Sequence, residues 1–351
     1  MTNYQYLIIG GGMTAAAAAD GIREADATGS IGVISAEPDG PYDRPPLSKG
    51  LWKGDPLDGI WRKAKGCKAP ELHLGRVIKE ILPKEKRVID SQGNAFTYEK
   101  LLLATGGTPR RLRFDDDQII YYRTLADYRR LRAQTEKADR FAVIGGGFIG
   151  SEIAAALTMN GKKVTLIFPG HDVGERLFPR DLARYVSGIY KEKGVELVAG
   201  EKVVASEARG NQRALKTTSG KTIVVDAVIA GIGLEPNIEL AESIGLTTEN
   251  GIVVDEFLRT SNPDIHAAGD VAAFHNPALG KRMRVEHEDN ANSMGRLAGR
   301  NMAGSLSLTI ICPSFTPICF IWDMKRSAKS IHVLKRSPTG SGLTRKASSI
   351  I

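Results

Sequence analysis

The sequence predicts an α/β protein containing two copies of a strand–turn–helix–strand unit, and two glycine runs carry that prediction. The first, Gly10-Gly11-Gly12-Met13-Thr14-Ala15, follows the apolar stretch Tyr6-Leu7-Ile8-Ile9. The second, Gly145-Gly146-Gly147-Phe148-Ile149-Gly150, follows Phe141-Ala142-Val143-Ile144. A chain of 351 residues suits two or three domains better than one small core.

In the first run, Gly10 permits a tight turn, Gly12 lets the backbone approach a pyrophosphate, and Ala15 lets a helix lie close to the strand. Ala15 to Ala19 and Ile22 read as that helix, with a small-residue face. Its first turn would offer free N–H groups and a partial positive charge to phosphates. A second strand, Ile31 to Ile34, ends near Glu37, close to the ~20-residue spacing at which an acid meets a ribose hydroxyl. The second run is followed by a helix expected from Ser151 to Met159 and a strand from Val164 to Phe168. Two such sites imply two nucleotides, and a chain with two dinucleotide sites is usually a flavoprotein served by a nicotinamide.

The composition is ordinary for a globular protein, with 42% hydrophobic and 25% charged residues. No apolar run approaches the ~18 residues needed to span a bilayer. The N-terminus has no basic region before its short apolar stretch, so a cytoplasmic protein without a membrane span is the expectation. The three cysteines, Cys67, Cys312 and Cys319, form neither a Cys-x-x-Cys pair nor a metal-ligand spacing. No metal site is expected, and no redox-active dithiol. Of the net charge of +8, a surplus of six lies after Ser305, so no specific nucleic-acid partner is expected.

Further motifs follow in order: Pro41-Tyr42-Asp43-Arg44-Pro45-Pro46-Leu47-Ser48-Lys49, Leu103-Ala104-Thr105-Gly106-Gly107, Gly231-Ile232-Gly233-Leu234-Glu235-Pro236-Asn237, Ala267-Ala268-Gly269-Asp270-Val271 and Glu286-His287-Glu288-Asp289-Asn290-Ala291. Together with the glycine runs, these resemble the ferredoxin/rubredoxin-reductase-like, apoptosis-inducing-factor-like branch of the FAD-dependent pyridine nucleotide-disulfide oxidoreductases, over residues 4 to 304.

The resemblance implies two Rossmann-like domains of the glutathione-reductase-like type. The FAD domain would comprise 1–115 and 245–304, with an NAD(P) domain at 116–244 between them. It implies FAD and NADH or NADPH as cofactors and a hydride passed from nicotinamide to flavin. Gly10, Gly11, Gly12, Met13 and Thr14 would hold the FAD pyrophosphate and Glu37 the adenosine ribose. Arg44, Lys49, Val77, Thr105, Gly106 and Arg123 match FAD-contacting positions. Asp270 would bond the ribityl chain, and Glu286 and His287 would lie along the flavin ring. Gly145, Gly147, Phe148, Ile149, Gly150, Arg176 and Gly233 fall to the nicotinamide dinucleotide. Lys49 and Glu152 would pair beside flavin N5 and act catalytically. A helix opened by Asn290 and Ala291 and running to Met302 would aim its positive end at the flavin.

Because Gly40 to Lys49 contains no cysteine, electrons would pass from flavin straight to an acceptor, such as a ferredoxin or rubredoxin. An apoptosis-inducing-factor-like redox sensor and an inactive truncated product stay open as alternatives. An acid at the end of the strand Val164–Phe168, usual in NAD enzymes, is missing near Gly170. Arg176 suits a 2′-phosphate, while Asp172 and Glu175 oppose one, and the balance leans slightly to NADH.

Relatives continue with a third domain that caps the flavin and often forms a dimer. Here the segment 305–351 does not resemble it and is expected to be a frameshift remnant, leaving that domain absent or scrambled and the family dimer unexpected. Thr309 through Arg336 can be written in codons whose other frame spells YNLPFLYSDLFHLGYEAVGEVDSRLETV, which looks like the start of the third domain. Trp322 and Met324 have single codons, which restricts chance agreement. Sequencing the coding DNA is expected to yield that string in the alternative frame; any other string there refutes the frameshift.

Overall fold

A computed structural model of the chain describes residues 2–64, 68–114, 117–306 and 308. The expectations for Cys67, Cys312, Cys319 and the segment from Thr309 onward lie outside the described residues.

The chain opens with β1 (Thr2–Ile9), α1 (Met13–Ala25), β2 (Ile31–Ile34), β3 (Glu71–His73), β4 (Ile78–Leu82), β5 (Arg87–Asp90) and β6 (Ala95–Leu103). Their sheet runs in the order β3-β2-β1-β6-β5-β4. Leu7, Ile8, Leu101, Leu102 and Leu103 are fully buried, as suits parallel strands covered on both faces. β5 begins only at Arg87. Lys86 takes a positive φ of 48° and makes the turn between β4 and β5. That hairpin extends the main sheet through β6 and is not a separate layer packed on it.

A second body follows: β7 (Gly107–Pro109), β8 (Ile119–Tyr121), α2 (Leu125–Thr135), β9 (Arg140–Ile144), α3 (Phe148–Met159), β10 (Lys163–Phe168), α4 (Arg180–Glu192) and β11 (Glu196–Ala199). Next come β12 (Val203–Arg209), β13 (Gln212–Thr217), β14 (Thr222–Val225), β15 (Ala227–Ala230) and β16 (Leu234–Pro236). A parallel sheet of order β11-β10-β9-β15-β8 forms its centre, and β12-β13-β14 an antiparallel layer. Helix α3 starts at Phe148, ahead of the expected Ser151, because helical geometry begins directly at the N-cap Gly147. Strands β7 and β16 pair antiparallel where the chain leaves and re-enters the first body.

The return is α5 (Glu239–Ser243), β17 (Thr248–Glu249), β18 (Gly251–Val253), β19 (Ile265–Ala267), β20 (Ala272–Asn276), β21 (Lys281–Met283) and α6 (Glu288–Met302). β19 pairs parallel with the second half of β6, whose first half carries β5. α6 lies against α1 with almost no side-chain spacing. A Cβ on Gly21 would stand 2.1 Å from the Arg296 carbonyl, one on Gly295 2.4 Å from the Thr14 carbonyl, and one on Gly299 2.1 Å from the Ala18 carbonyl. α6 begins at Glu288, before the expected Asn290, because His287 caps it.

His266, on β19, is buried, and its Nδ1 has no hydrogen-bond partner. Burial pushes its pKa down to about 4, helped by Lys100 and Arg259, against the opposing pull of Asp255 and Asp264. The folded state therefore favours the neutral ring. Its contribution is complete above the ordinary pKa of about 6.5 and is lost as pH falls from there through about 4. Relative to a His266→Gln variant, the wild-type chain is expected to lose on the order of 3 kcal/mol of stability between pH 7 and pH 4, read from urea midpoints. Parallel pH profiles for the two proteins would refute this.

Candidate functional site

The two glycine turns are built alike. Gly10 (φ +119°) and Gly145 (φ +116°) take backbone conformations that favour glycine, with hypothetical Cβ atoms 2.1 Å from the Ala104 carbonyl and 2.3 Å from the Gly231 carbonyl. Each turn is thereby pressed against the next parallel strand of its sheet. Gly11 is tight against Ser35, and Gly150 against the Gly145 carbonyl, where the first turn carries Ala15 instead.

Gly12 and Gly147 are different. Both have ordinary φ values of −85° and cap the following helix without a side chain. A Cβ on Gly147 would meet nothing within 4 Å, and one on Gly12 only the tip of Arg44 at 4.0 Å. These two glycines therefore face open space at helix N-termini, the geometry that admits a phosphate. Phe148 and Ile149 stand beside Gly147, 37% and 38% exposed. Met13 and Thr14 form the first turn of α1, and Thr14 packs on the loop before Asp270, so that a Cβ on Gly269 would fall 2.2 Å from its Oγ1.

From the first turn, a connected set of polar groups runs through the motifs. The Glu37 carboxylate receives Arg44 on one oxygen and the Tyr42 hydroxyl, at 2.5 Å, on the other. Tyr42 is buried, and its hydroxyl also accepts the Leu125 N–H at 3.0 Å, at the start of α2. Arg44 donates to the Arg123 carbonyl at 2.9 Å, and the Arg123 guanidinium pairs with Asp270 at 2.9 Å. The Asp270 carbonyl accepts from Arg284 at 2.8 Å, which also pairs with Glu286 at 2.7 Å. Thr105 and Gly106 are joined to Asn237: Thr105 Oγ1 donates to its carbonyl at 2.8 Å, and its N–H donates to the Gly106 carbonyl at 3.0 Å.

Lys49 and Glu152, 103 positions apart in the chain, meet at 3.4 Å. The Glu152 side chain is only 7% exposed, and its second oxygen accepts the Ser48 hydroxyl at 2.6 Å. Burial pushes the Glu152 carboxyl above the usual carboxylate range, while Lys49 and then Ser48 pull the other way. Lys49 is 40% exposed, so the ammonium reaches toward open space while the carboxylate holds it from behind.

Other expected residues are placed apart from this set. Val77 is 50% exposed at the edge of the first sheet. Arg176 is exposed in the loop after β10. Gly233 (φ +100°) shapes the turn into β16, and its carbonyl accepts the Arg110 N–H at 2.9 Å. The His287 ring is turned onto its own helix, with Nδ1 accepting the Asp289 N–H at 3.1 Å, which makes it the cap of α6. Tyr42, Ser48 and Asn237 stood inside the quoted motifs without an assigned role. Arg284 stood outside them, and only its buried side chain marks it.

These residues fit a dinucleotide at each turn. An open cradle and a helix N-terminus await phosphate, and the carboxylates Glu37 and Asp270 are available to ribose and polyol hydroxyls. Arg284 Nε and Asn290 Oδ1 are buried beside the Asp270 loop and the start of α6 without a hydrogen-bond partner. The chain belongs to the pyridine nucleotide-disulphide oxidoreductase family, whose profile matches residues 4–295. It is 36% identical to the 5,5'-dehydrodivanillate O-demethylase ferredoxin reductase subunit of Sphingobium sp., over 87% of this chain and 76% of that one. It is also 36% identical to the anthranilate 1,2-dioxygenase system ferredoxin--NAD(+) reductase component of Burkholderia cepacia, over 86% of this chain and 76% of that one. The solved covalent putidaredoxin reductase–putidaredoxin complex matches with a TM-score of 0.82 at 33% identity, covering 87% of this chain and 76% of that one. Membership makes the chain an oxidoreductase whose cofactors are FAD and NAD(P)H. No described helix is long and apolar enough to cross a membrane.

Gly12→Val tests the cradle. Its backbone angles accept a side chain, and the nearest protein atom is 4.0 Å from the first added carbon. Stability without FAD should change by no more than about 0.5 kcal/mol, while FAD binding, followed by quenching of its fluorescence, is lost. Retained FAD affinity would show that the open space is not the pyrophosphate site.

Proposed function

We propose that this chain takes a hydride from NAD(P)H onto FAD and delivers the electrons to a ferredoxin- or rubredoxin-like one-electron carrier. The carrier is inferred from the two bacterial relatives, both ferredoxin reductases. Residues 1–115 and 245–304 would serve FAD, and 116–244 the nicotinamide dinucleotide.

The observation that carries this reading is the Lys49–Glu152 contact. Lys49 ends the segment that follows the first nucleotide unit, and Glu152 lies in the second turn of the helix that opens from the other cradle. The pair therefore links the two nucleotide units, which supports reading it as the place where the two nucleotides meet.

The chemistry supplied by bound FAD is acceptance of a hydride and its release as electrons. The protein supplies position and charge. Gly10 to Thr14 and the N-terminus of α1 would hold the pyrophosphate, Glu37 the ribose, and Asp270, aligned by Arg123, the ribityl hydroxyls. Glu152 keeps the Lys49 ammonium charge-paired and aimed, and Ser48 fixes the carboxylate so that its other oxygen faces the lysine. A cation held there favours electron-rich flavin, and a paired one costs less to bury than a lone one. Gly147, Phe148 and Ile149 would seat the nicotinamide dinucleotide.

The purified chain, supplied with FAD, should show a flavin band that bleaches under anaerobic NADH or NADPH and returns rapidly with ferricyanide. Lys49→Ala should keep the band and slow bleaching by about a hundredfold, the scale of losing alignment at a reacting centre. A protein that stays colourless with excess FAD would sink the whole reading, whereas unchanged bleaching in the variant would remove only the role of Lys49.

A further inference from the structure

The strand end that lacks an acid in the sequence has one in space. After β10 the chain turns through Pro169, Gly170, His171, Asp172, Val173 and Gly174, and Glu175 comes back to the start of that turn. Its Oε2 accepts the His171 N–H at 2.7 Å. A Cβ placed on Gly170 would lie 2.1 Å from Glu175 Oε1 and 2.4 Å from its Cδ. The Glu175 carboxyl group thus fills the volume a side chain at position 170 would enter.

The turn is pinned on both sides. The Gly174 N–H donates to the Gly146 carbonyl at 2.9 Å, which ties the residue before Glu175 directly to the glycine turn of the second cradle. The buried Val173 N–H donates to Ser187 Oγ of α4 at 2.9 Å. Gly174, at φ +72°, packs against the Phe178 ring. The carboxylate is therefore held at the C-terminal end of the second strand of its nucleotide unit. An acid in that place accepts hydrogen bonds from the adenosine ribose hydroxyls and repels a 2′-phosphate. The His171 N–H occupies one acceptor position, and a carboxylate offers about four.

We infer that Glu175 supplies the ribose-binding carboxylate of the second nucleotide site, in place of an acid at position 170, and makes the chain select NADH over NADPH. This rests on the reading that a nicotinamide dinucleotide binds at Gly145–Gly150. Asp172, in the same turn, adds negative charge, and the exposed Arg176 opposes it; Glu175 is the member of the group fixed against the glycine turn.

The test is equilibrium binding of NAD+ and NADP+ to the FAD-loaded full chain by calorimetry, alongside kcat/KM for NADH and NADPH. The wild-type chain should bind NAD+ more tightly. Glu175→Ala should weaken NAD+ by about ten- to a hundredfold, the range for a hydrogen bond to a charged group, and should narrow or reverse the preference. Gly170 does not occupy the left-handed region, so its backbone accepts a side chain once Glu175 is trimmed. Adding Gly170→Glu to Glu175→Ala should therefore restore NAD+ selectivity. Glu175→Gln, which keeps the shape and removes the charge, should relieve the penalty on NADP+, and it serves if the double variant does not fold. A wild-type preference for NADP+, or a preference untouched in both Glu175→Ala and Glu175→Gln, overturns the inference alone. A chain that binds neither dinucleotide overturns the reading of the second site, and this inference with it.

Discussion

Bare backbone contact between α1 and α6 is the constraint on which the site depends. Gly21, Gly295 and Gly299 bring the two helices so close that any side chain at those positions would strike a carbonyl of the partner. The contact runs to the first turn of α1, where Thr14 meets both Gly295 and the loop carrying Asp270. The start of α1, the middle of α6 and an acidic loop are consequently gathered at one place. A phosphate cradle and a polyol acceptor need that convergence, and no sequence-local rule supplies it.

The second body repeats the cradle and joins the first through a shared apolar cluster, in which Tyr42, Leu47, Leu51, Trp52 and Ile60 pack with Leu125, Phe141 and Ile153, and through polar contacts beside it. Tyr42 and Arg44 reach from the first body to the start of α2 and the carbonyl of Arg123, and Asn237 closes on Thr105 and Gly106. Lys49 and Glu152 complete the junction with a pair in which the carboxylate is buried and the ammonium is not. A buried carboxylate is costly unless partnered, so pairing with Lys49 and Ser48 restricts how the two bodies can be arranged. The same pair carries the proposed chemistry, so that proposal and the arrangement of the bodies rest on the same few atoms.

Much of this was legible in the chain. The two glycine runs predicted both turns, their strands and their helices, because a turn that must press on a neighbouring carbonyl tolerates only glycine, and the flanking apolar residues announce buried strands. The errors were local and have local causes. α3 and α6 start earlier than expected because Gly147 and His287 cap them. The His287 ring also accepts the Asp289 N–H, a local capping contact that the resemblance did not announce. Glu175 was seen as an acid near the second site but not as the replacement for the one missing at Gly170, since a five-residue return cannot be read from spacing alone.

The amino-acid sequence by itself determined the elements, the two cradles and the family, because these depend on φ, on side-chain size and on hydrophobic period, all of which act within a few residues. Only the tertiary structure decided which side chains face one another: Glu37 with Tyr42 and Arg44, Arg123 with Asp270, Lys49 with Glu152, and Glu175 with the end of β10. Two of those meetings, Arg123 with Asp270 and Lys49 with Glu152, join residues more than a hundred positions apart. They are set by how two sheets and their helices pack, and the energy that selects the packing is spread over the whole buried surface.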